Sequence, residues 1–171
     1  MYRDPKTPLL AFATYVRHIL EYASCVWSPC SPTYIKKVES VQRRFTKGHV
    51  KGMAELQYSE RLAKLEAEAL ELRRLKADLM YIYKIVFGLL DVESGTFDVK
   101  LKDGKSTRSG THRHAIGVEE THGKINARNF LSLRVARVWN CLPANATNFK
   151  TIHAFKESLN KIDFSSPLTI I

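Results

Sequence analysis

Apolar residues recur along most of this chain at helical rather than strand spacing. Thr7-Pro8 reads as an N-cap followed by proline at the first helical position. Leu9, Phe12, Val16, Ile19 or Leu20 and Ala23 then repeat at intervals of three and four, the period of one buried face. A first helix is therefore predicted from Pro8 to Val26. Ser31-Pro32 repeats the start signal, with Ile35, Val38, Val41 and Phe45 as its apolar stripe and Gly48 as its stop. A third helical region opens at Tyr58-Ser59, where Ser59 is the predicted cap. Leu62, Leu65, Ala69, Leu72, Leu75 or Lys76, Leu79, Ile82 and Val86 hold a near-heptad stripe there, with neither glycine nor proline before Gly88. Because Glu66-Ala67-Glu68 favour helix continuation, one helix, or two nearly collinear ones, is predicted from Ser59 to Phe87.

The pattern changes after Ser94. Phe97, Val99 and Leu101 alternate with polar residues and Asp103-Gly104 supplies a hairpin turn, but the returning arm Lys105-Ser106-Thr107-Arg108 has no apolar face. A mobile basic segment with at most marginal strand is expected. Helical order returns with Phe130, Leu131, Val135, Val138 and Trp139, which Leu142-Pro143 must end. Thr151 then starts a last helix carrying Ile152, Phe155 and Leu159. The predicted fold class is mainly α. A helical bundle occupies residues 1–92, a basic irregular linker or marginal hairpin residues 93–128, and a small helical region residues 129–171.

At 171 residues, 44% of them apolar and 26% charged, the chain has the composition of a folded unit rather than a disordered one. Its 27 Lys and Arg against 17 Asp and Glu make nucleic acid or an anionic membrane surface the leading partner class. The excess is clustered. Residues 36–51 hold six cations (Lys36, Lys37, Arg43, Arg44, Lys47 and Lys51) against Glu39 alone, and residues 100–137 hold nine cations against three anions. Residues 55–91 are balanced at six against seven. Clustering of this kind is the footprint of contacts to a phosphate backbone, which give affinity without base specificity. The plainer reading is a solvated basic surface.

No apolar run reaches the ~20 residues that span a bilayer; the longest, near Tyr81 to Leu90, is cut by Lys84 and Gly88. No membrane partner is expected. The N-terminus has no signal-type apolar core, and the chain begins as though cut from something longer. The three cysteines, Cys25, Cys30 and Cys141, lack paired metal-ligand spacing and point to a reducing, intracellular compartment, cytoplasm or nucleus. Zinc at Cys25 and Cys30 would need two of His112, His114 and His122, some eighty residues away. No metal or other cofactor is expected.

Catalysis has little support. Asp78, Asp91, Asp98, Asp103 and Asp163 are scattered, Glu119-Glu120 is the only adjacent acidic pair, and Asp78 is expected to pair with Arg74 across a helical turn. His18 and His49 read as surface histidines. Trp27 and Trp139 are expected as core anchors rather than base-stacking platforms. Tyr81 and Tyr83, flanking Ile82, cannot both face one core.

Three ordered blocks carry a family resemblance. The first is Leu20-Glu21-Tyr22-Ala23-Ser24-Cys25-Val26-Trp27-Ser28-Pro29 followed by Val41-Gln42-Arg43-Arg44. The second comprises Leu56, Tyr58, Glu60, Arg61, Leu62 and Leu65, then Leu70, Glu71, Arg73, Arg74, Leu75, Asp78 and Leu79, then Tyr83-Lys84-Ile85. The third comprises Phe130, Ser132, Arg134 and Val135, Trp139-Asn140 with Leu142-Pro143, and Phe155, Lys156 and Leu159. In this order they resemble the segment after the palm in jockey-like, LINE-type non-LTR retrotransposon reverse transcriptases, over roughly Val16 to Leu159. Family members often place Gly-Leu-Pro before the Leu-Glu element, where this chain has Glu66-Ala67-Glu68.

The resemblance implies a thumb and C-terminal region that holds a template and primer duplex while a palm, absent here, performs the chemistry. That palm would need aspartates converging on two metal ions, and the chain has no Asp-Asp. The chain is therefore expected to be catalytically inert, its parent being an RNA-directed DNA polymerase. Its partner would be RNA or DNA, bound without sequence preference. The expected contacts are Lys36, Lys37, Arg43, Arg44, Lys47, Lys51, Lys105, Arg108, Arg113, Arg128 and Arg134. The competing readings are a helical protein-interaction module built on the stripe between Leu62 and Leu89, and a decayed transposon fragment with no role of its own.

Overall fold

A computed structural model describes residues 6–29, 31–91, 100–101, 114–117 and 131–164. Their architecture is mainly α, as the apolar periodicity predicts. The chain divides into two compact units: Met1–Ser24 with Ser31–Arg74, and Cys25–Cys30 with Leu75–Ile171.

The first unit opens with α1 (Lys6–Phe12), a π-helical turn (Ala13–Arg17) and α2 (His18–Glu21). Successive residues turn about 100° around an α-helix axis, so Phe12 and Glu21 would stand about 180° apart in an uninterrupted one. The wider π turn takes up an extra residue and brings them to within about 80°. Both find partners there. Phe12 is buried with its ring 4.6 Å from that of Phe45, and the Glu21 carboxylate accepts from Arg73 Nε at 2.5 Å and Nη2 at 3.1 Å. The helix does not run on to Val26. It stops at Tyr22, and Ala23 takes a left-handed conformation with φ of 50° before the short α3 (Ser24–Trp27).

Helix α4 (Pro32–Gly48) begins and ends where its signals place it, with Ser31 extended at the N-cap, Pro32 in the first turn and His49 as C-cap. Its inward face differs from the expected stripe. Val41 is 38% exposed, and the buried residues are Glu39, Gln42 and Thr46. Helix α5 (Tyr58–Lys64) is capped by Gln57 rather than Ser59, in a capping box whose Glu60 carboxylate accepts from the Gln57 N–H at 2.8 Å. Val50, Met53 and Leu65 form a core against which Leu9, Phe45, Leu56 and Ala67 pack.

The predicted continuous helix from Ser59 to Phe87 is not formed. The chain leaves α5 at Leu65, turns with Glu66 left-handed at φ 52°, and enters α6 (Leu70–Val86). Tertiary bonds override the local preference. The Glu39 carboxylate accepts from the N–H groups of Leu70 at 3.2 Å and Glu71 at 3.3 Å, and Gln42 Nε2 donates to the Glu68 carbonyl at 3.0 Å. A carboxylate at a helix N-terminus satisfies donors that have no partner within the helix.

The second unit takes residues 75–86 of α6, α7 (Leu131–Asn140) and α8 (Ile152–Leu159). Leu75, Leu79, Ile82, Tyr83, Leu131, Val135, Val138, Trp139, Phe155 and Leu159 are buried. Trp139 is the expected core anchor, fully buried, with its indole N–H donated to the His114 carbonyl at 2.7 Å. Tyr83 is the inward member of its pair, stacked 4.7 Å from Phe155 and donating its hydroxyl to the Phe149 carbonyl at 2.9 Å. Thr151 caps α8 by accepting from the Ala154 N–H at 3.1 Å. Trp27, by contrast, is 42% exposed. The segment carrying it is tied to the second unit through its backbone, since the carbonyls of Cys25 and Ser28 face the Arg134 guanidinium at 3.5 and 3.4 Å.

The described strand pairing is short. β1 (Lys100–Leu101) runs antiparallel to β2 (Ile116–Gly117), and the Asn140 side chain bonds both backbone groups of Ile116 at 2.8 and 2.9 Å. Leu101 pairs with Ile116, and the arm at Lys105 to Arg108 lies outside the described residues.

Candidate nucleic-acid interface

Helix α4 sorts its side chains by charge. At about 100° per residue, Lys36, Lys37, Arg43, Arg44 and Lys47 fall within roughly a third of the helix circumference, and Ile35, Val38, Gln42, Phe45 and Thr46 on the opposite side. All five cations are exposed, and Lys51, in the turn beyond the helix, is exposed as well. The only carboxylate of α4, Glu39, is buried and bound to the N-terminus of α6. The outer face is therefore cationic without an intervening acid, over about 16 Å from Lys36 to Lys47 at ~1.5 Å rise per residue.

Two of these cations lie on aromatic rings. Lys37 Nζ is 5.4 Å from the ring centre of exposed Tyr34, and the Arg43 guanidinium is 4.7 Å from that of Tyr58. The Tyr58 hydroxyl donates to Glu39 and accepts from Gln42 Nε2 at 3.1 Å. Burial first, then the bond to Glu39, pushes this phenol well above its ordinary range. Tyr58 consequently stays protonated at neutral pH, with its ring on an outward cation and its hydroxyl on an inward anion. Tyr34 was legible as a neighbour of Lys37 three residues on. The contact of Tyr58 with α4 has no local signal.

Arg134 has a different environment from the α4 cations. Its side chain is 4% exposed and its guanidinium bonds the Asp78 carboxylate, itself 2% exposed, at 2.8 Å from Nη2 and 3.2 Å from Nε. Asp78, expected to pair along its own helix with Arg74, takes Arg134 from α7 as a partner. Lys105, Arg108, Arg113 and Arg128 lie outside the described residues, as do His112, His122 and Cys30.

Among the described residues, no three His, Cys, Asp or Glu side chains are grouped to hold a metal ion. Cys25 and Cys141 are free thiols, and His18 and His49 are exposed. No described helix is long and apolar enough to cross a membrane. A surface depression of about 770 Å³ in the second unit is lined by His114, Thr147, Lys150, Glu157, Ser158 and Lys161, a set of mixed charge in which the Ser158 hydroxyl donates to the Phe155 carbonyl at 2.7 Å.

No protein-family model matches the chain, nor does any curated protein or solved structure.

Proposed function

We propose that this chain is the thumb and C-terminal part of a LINE-type non-LTR reverse transcriptase and holds nucleic acid by its phosphate backbone through the outer face of α4. One observation carries the binding reading: five exposed cations share a side of α4 while the helix's single acid is turned inward. Duplex DNA carries a phosphate every ~3.4 Å of axis on each strand, so a cationic edge of about 16 Å can follow some five phosphates. Lys and Arg there displace condensed counterions and gain affinity from their release, independently of base sequence. The three ordered sequence blocks support the family reading, and the chain's lack of an Asp-Asp pair supports a role in grip rather than in phosphoryl transfer. Purified protein is expected to incorporate no nucleotide on a primed template with magnesium or manganese.

Titration of duplex DNA and of RNA:DNA hybrid at several salt concentrations tests the binding. Affinity should fall by about 0.9 logarithmic units per logarithmic unit of salt for each phosphate neutralised. Changing Arg43 and Arg44 together to Ala should flatten that slope by roughly two and weaken all sequences alike. An unchanged slope in a folded double variant would move the assignment to a protein-interaction module. Of the near-heptad residues that such a module would offer, Leu65, Leu75, Leu79 and Ile82 are already buried, while Leu62, Ala69, Leu72 and Val86 are half-buried.

A further inference from the structure

Helix α4 packs inward with polar residues where a packing face is ordinarily apolar. The buried Glu39 holds the first two N–H groups of α6, and Gln42 holds the Glu68 carbonyl between α5 and α6. These bonds maintain a corner that its own residues oppose. Glu66 sits left-handed, a conformation that favours glycine, and Glu66-Ala67-Glu68-Ala69 are good helix formers. The corner is thus bent against its local preference, and the bonds from α4 are among the contacts that hold it. Tyr58 joins it to the outer surface, because the ring lying by Arg43 and the hydroxyl bound to Glu39 belong to one rigid side chain.

We infer that Tyr58 couples polyanion binding at Arg43 to the α5–α6 corner. The inference rests on the reading of α4 as a phosphate-binding face. A phosphate that engages Arg43 draws the guanidinium and, through the 4.7 Å cation–ring contact, the Tyr58 ring with it. The ring carries its hydroxyl with it, and the Glu39 carboxylate, shared between that hydroxyl and the Leu70 and Glu71 N–H groups, readjusts its bonds to α6. Linkage makes the effect reciprocal, so the state of the corner sets the affinity of the outer face. Tyr58 is in this sense a positioning residue for Arg43, with Glu39 as its inward anchor.

The test is an NMR titration of the isotope-labelled full chain with a duplex at low salt, following the Leu70 and Glu71 amides and the Cα shifts of residues 66–69. In the wild-type protein these signals should move along the same saturation curve as duplex binding. Tyr58→Phe keeps the ring by Arg43 but lacks the hydroxyl. Titrated to the same degree of duplex saturation as wild type, it should show no Leu70 or Glu71 response, because the hydroxyl that reaches Glu39 is gone. Tyr58→Leu, which loses the ring, should weaken binding by about two- to fivefold. Duplex binding that leaves Leu70 and Glu71 unmoved in the wild-type protein overturns the coupling and spares the phosphate-binding face. Absence of duplex binding at low salt overturns both, and the wild-type titration does not depend on any variant folding.

Discussion

Replacing Arg134 by Met removes a guanidinium from a site where both charged side chains are almost fully enclosed, 4% exposed for Arg134 and 2% for Asp78. Met retains most of the aliphatic stem, so the change acts through charge and hydrogen bonding rather than through a cavity. Removing one partner of a buried ion pair costs about 3–5 kcal/mol, because the other carboxylate stays in a low-dielectric site with its best donor gone. The carbonyl contacts to Ser28 and Cys25, at 3.4 and 3.5 Å, are long and add little. For a chain of this size each kcal/mol moves the melting temperature by about 2–4 °C, so a fall of about 6–20 °C is expected. Both tryptophans, Trp27 and Trp139, lie in the second unit, and their fluorescence during thermal and urea unfolding reports on that unit alone. Asp78→Asn combined with Arg134→Met should recover part of the loss, since the double variant no longer leaves the Asp78 charge without the Arg134 guanidinium. The salt dependence of duplex binding should be unchanged in Arg134→Met. A loss under about 1 kcal/mol would refute the argument, because only solvent-exposed pairs are worth so little.

Glu66→Gly should stabilise the first unit by about 0.5–1 kcal/mol in urea unfolding, since glycine accepts the left-handed conformation without strain. The Lys6–Glu66 contact it forfeits, at 3.6 Å with side chains 71% and 81% exposed, is worth little, and a destabilised variant would count against this account. Burial raises the phenol groups of Tyr58 and Tyr83, so the folded chain holds those protons more tightly than the unfolded one. Stability should therefore be intact below about pH 10 and fall as pH rises above it, and Tyr58→Phe should make that fall shallower in alkaline urea titrations. Thr151→Ala, which removes the bond from Ala154 N–H to the N-cap, should cost about 1 kcal/mol by calorimetry. An unaltered unfolding transition would show that α8 does not need its cap.

The features legible in the sequence are those with local causes. Ser31-Pro32 and Gly48 bound α4, Thr151 caps α8, and the aromatic and aliphatic repeat around Trp139 marks a buried face, each from signals within one helix. The cationic side of α4 was readable for the same reason, as spacing alone aligns Lys36, Arg43 and Lys47. What escaped depends on residues far apart in the chain. Glu39 reaches Leu70 across 31 positions and Arg134 reaches Asp78 across 56, and neither bond leaves a periodicity behind. The α5–α6 corner shows the consequence most clearly, since Glu66-Ala67-Glu68 speak for helix and only the distant carboxylate of Glu39 and amide of Gln42 speak against it. Arg134 lies in a basic stretch of the sequence with Arg128 and Arg137, as a phosphate contact would, and is distinguished by the acid it meets in space.

The π turn at Ala13–Arg17 gives the first helix a slack that α4 does not have. Phe12 and Glu21 keep their partners because one surplus residue is absorbed between them, so loss of a single codon there, at exposed Thr14 for instance, would return the segment to an ordinary α-helix with both anchors in phase. The same one-codon loss at Ser40 would rotate everything downstream by about 100°, swinging Arg43 and Lys47 away from the face they share with Lys36. Single-residue deletions should thus be filtered unequally along one unit: the amino-terminal helix has one residue to lose at its π turn, whereas the basic helix has none.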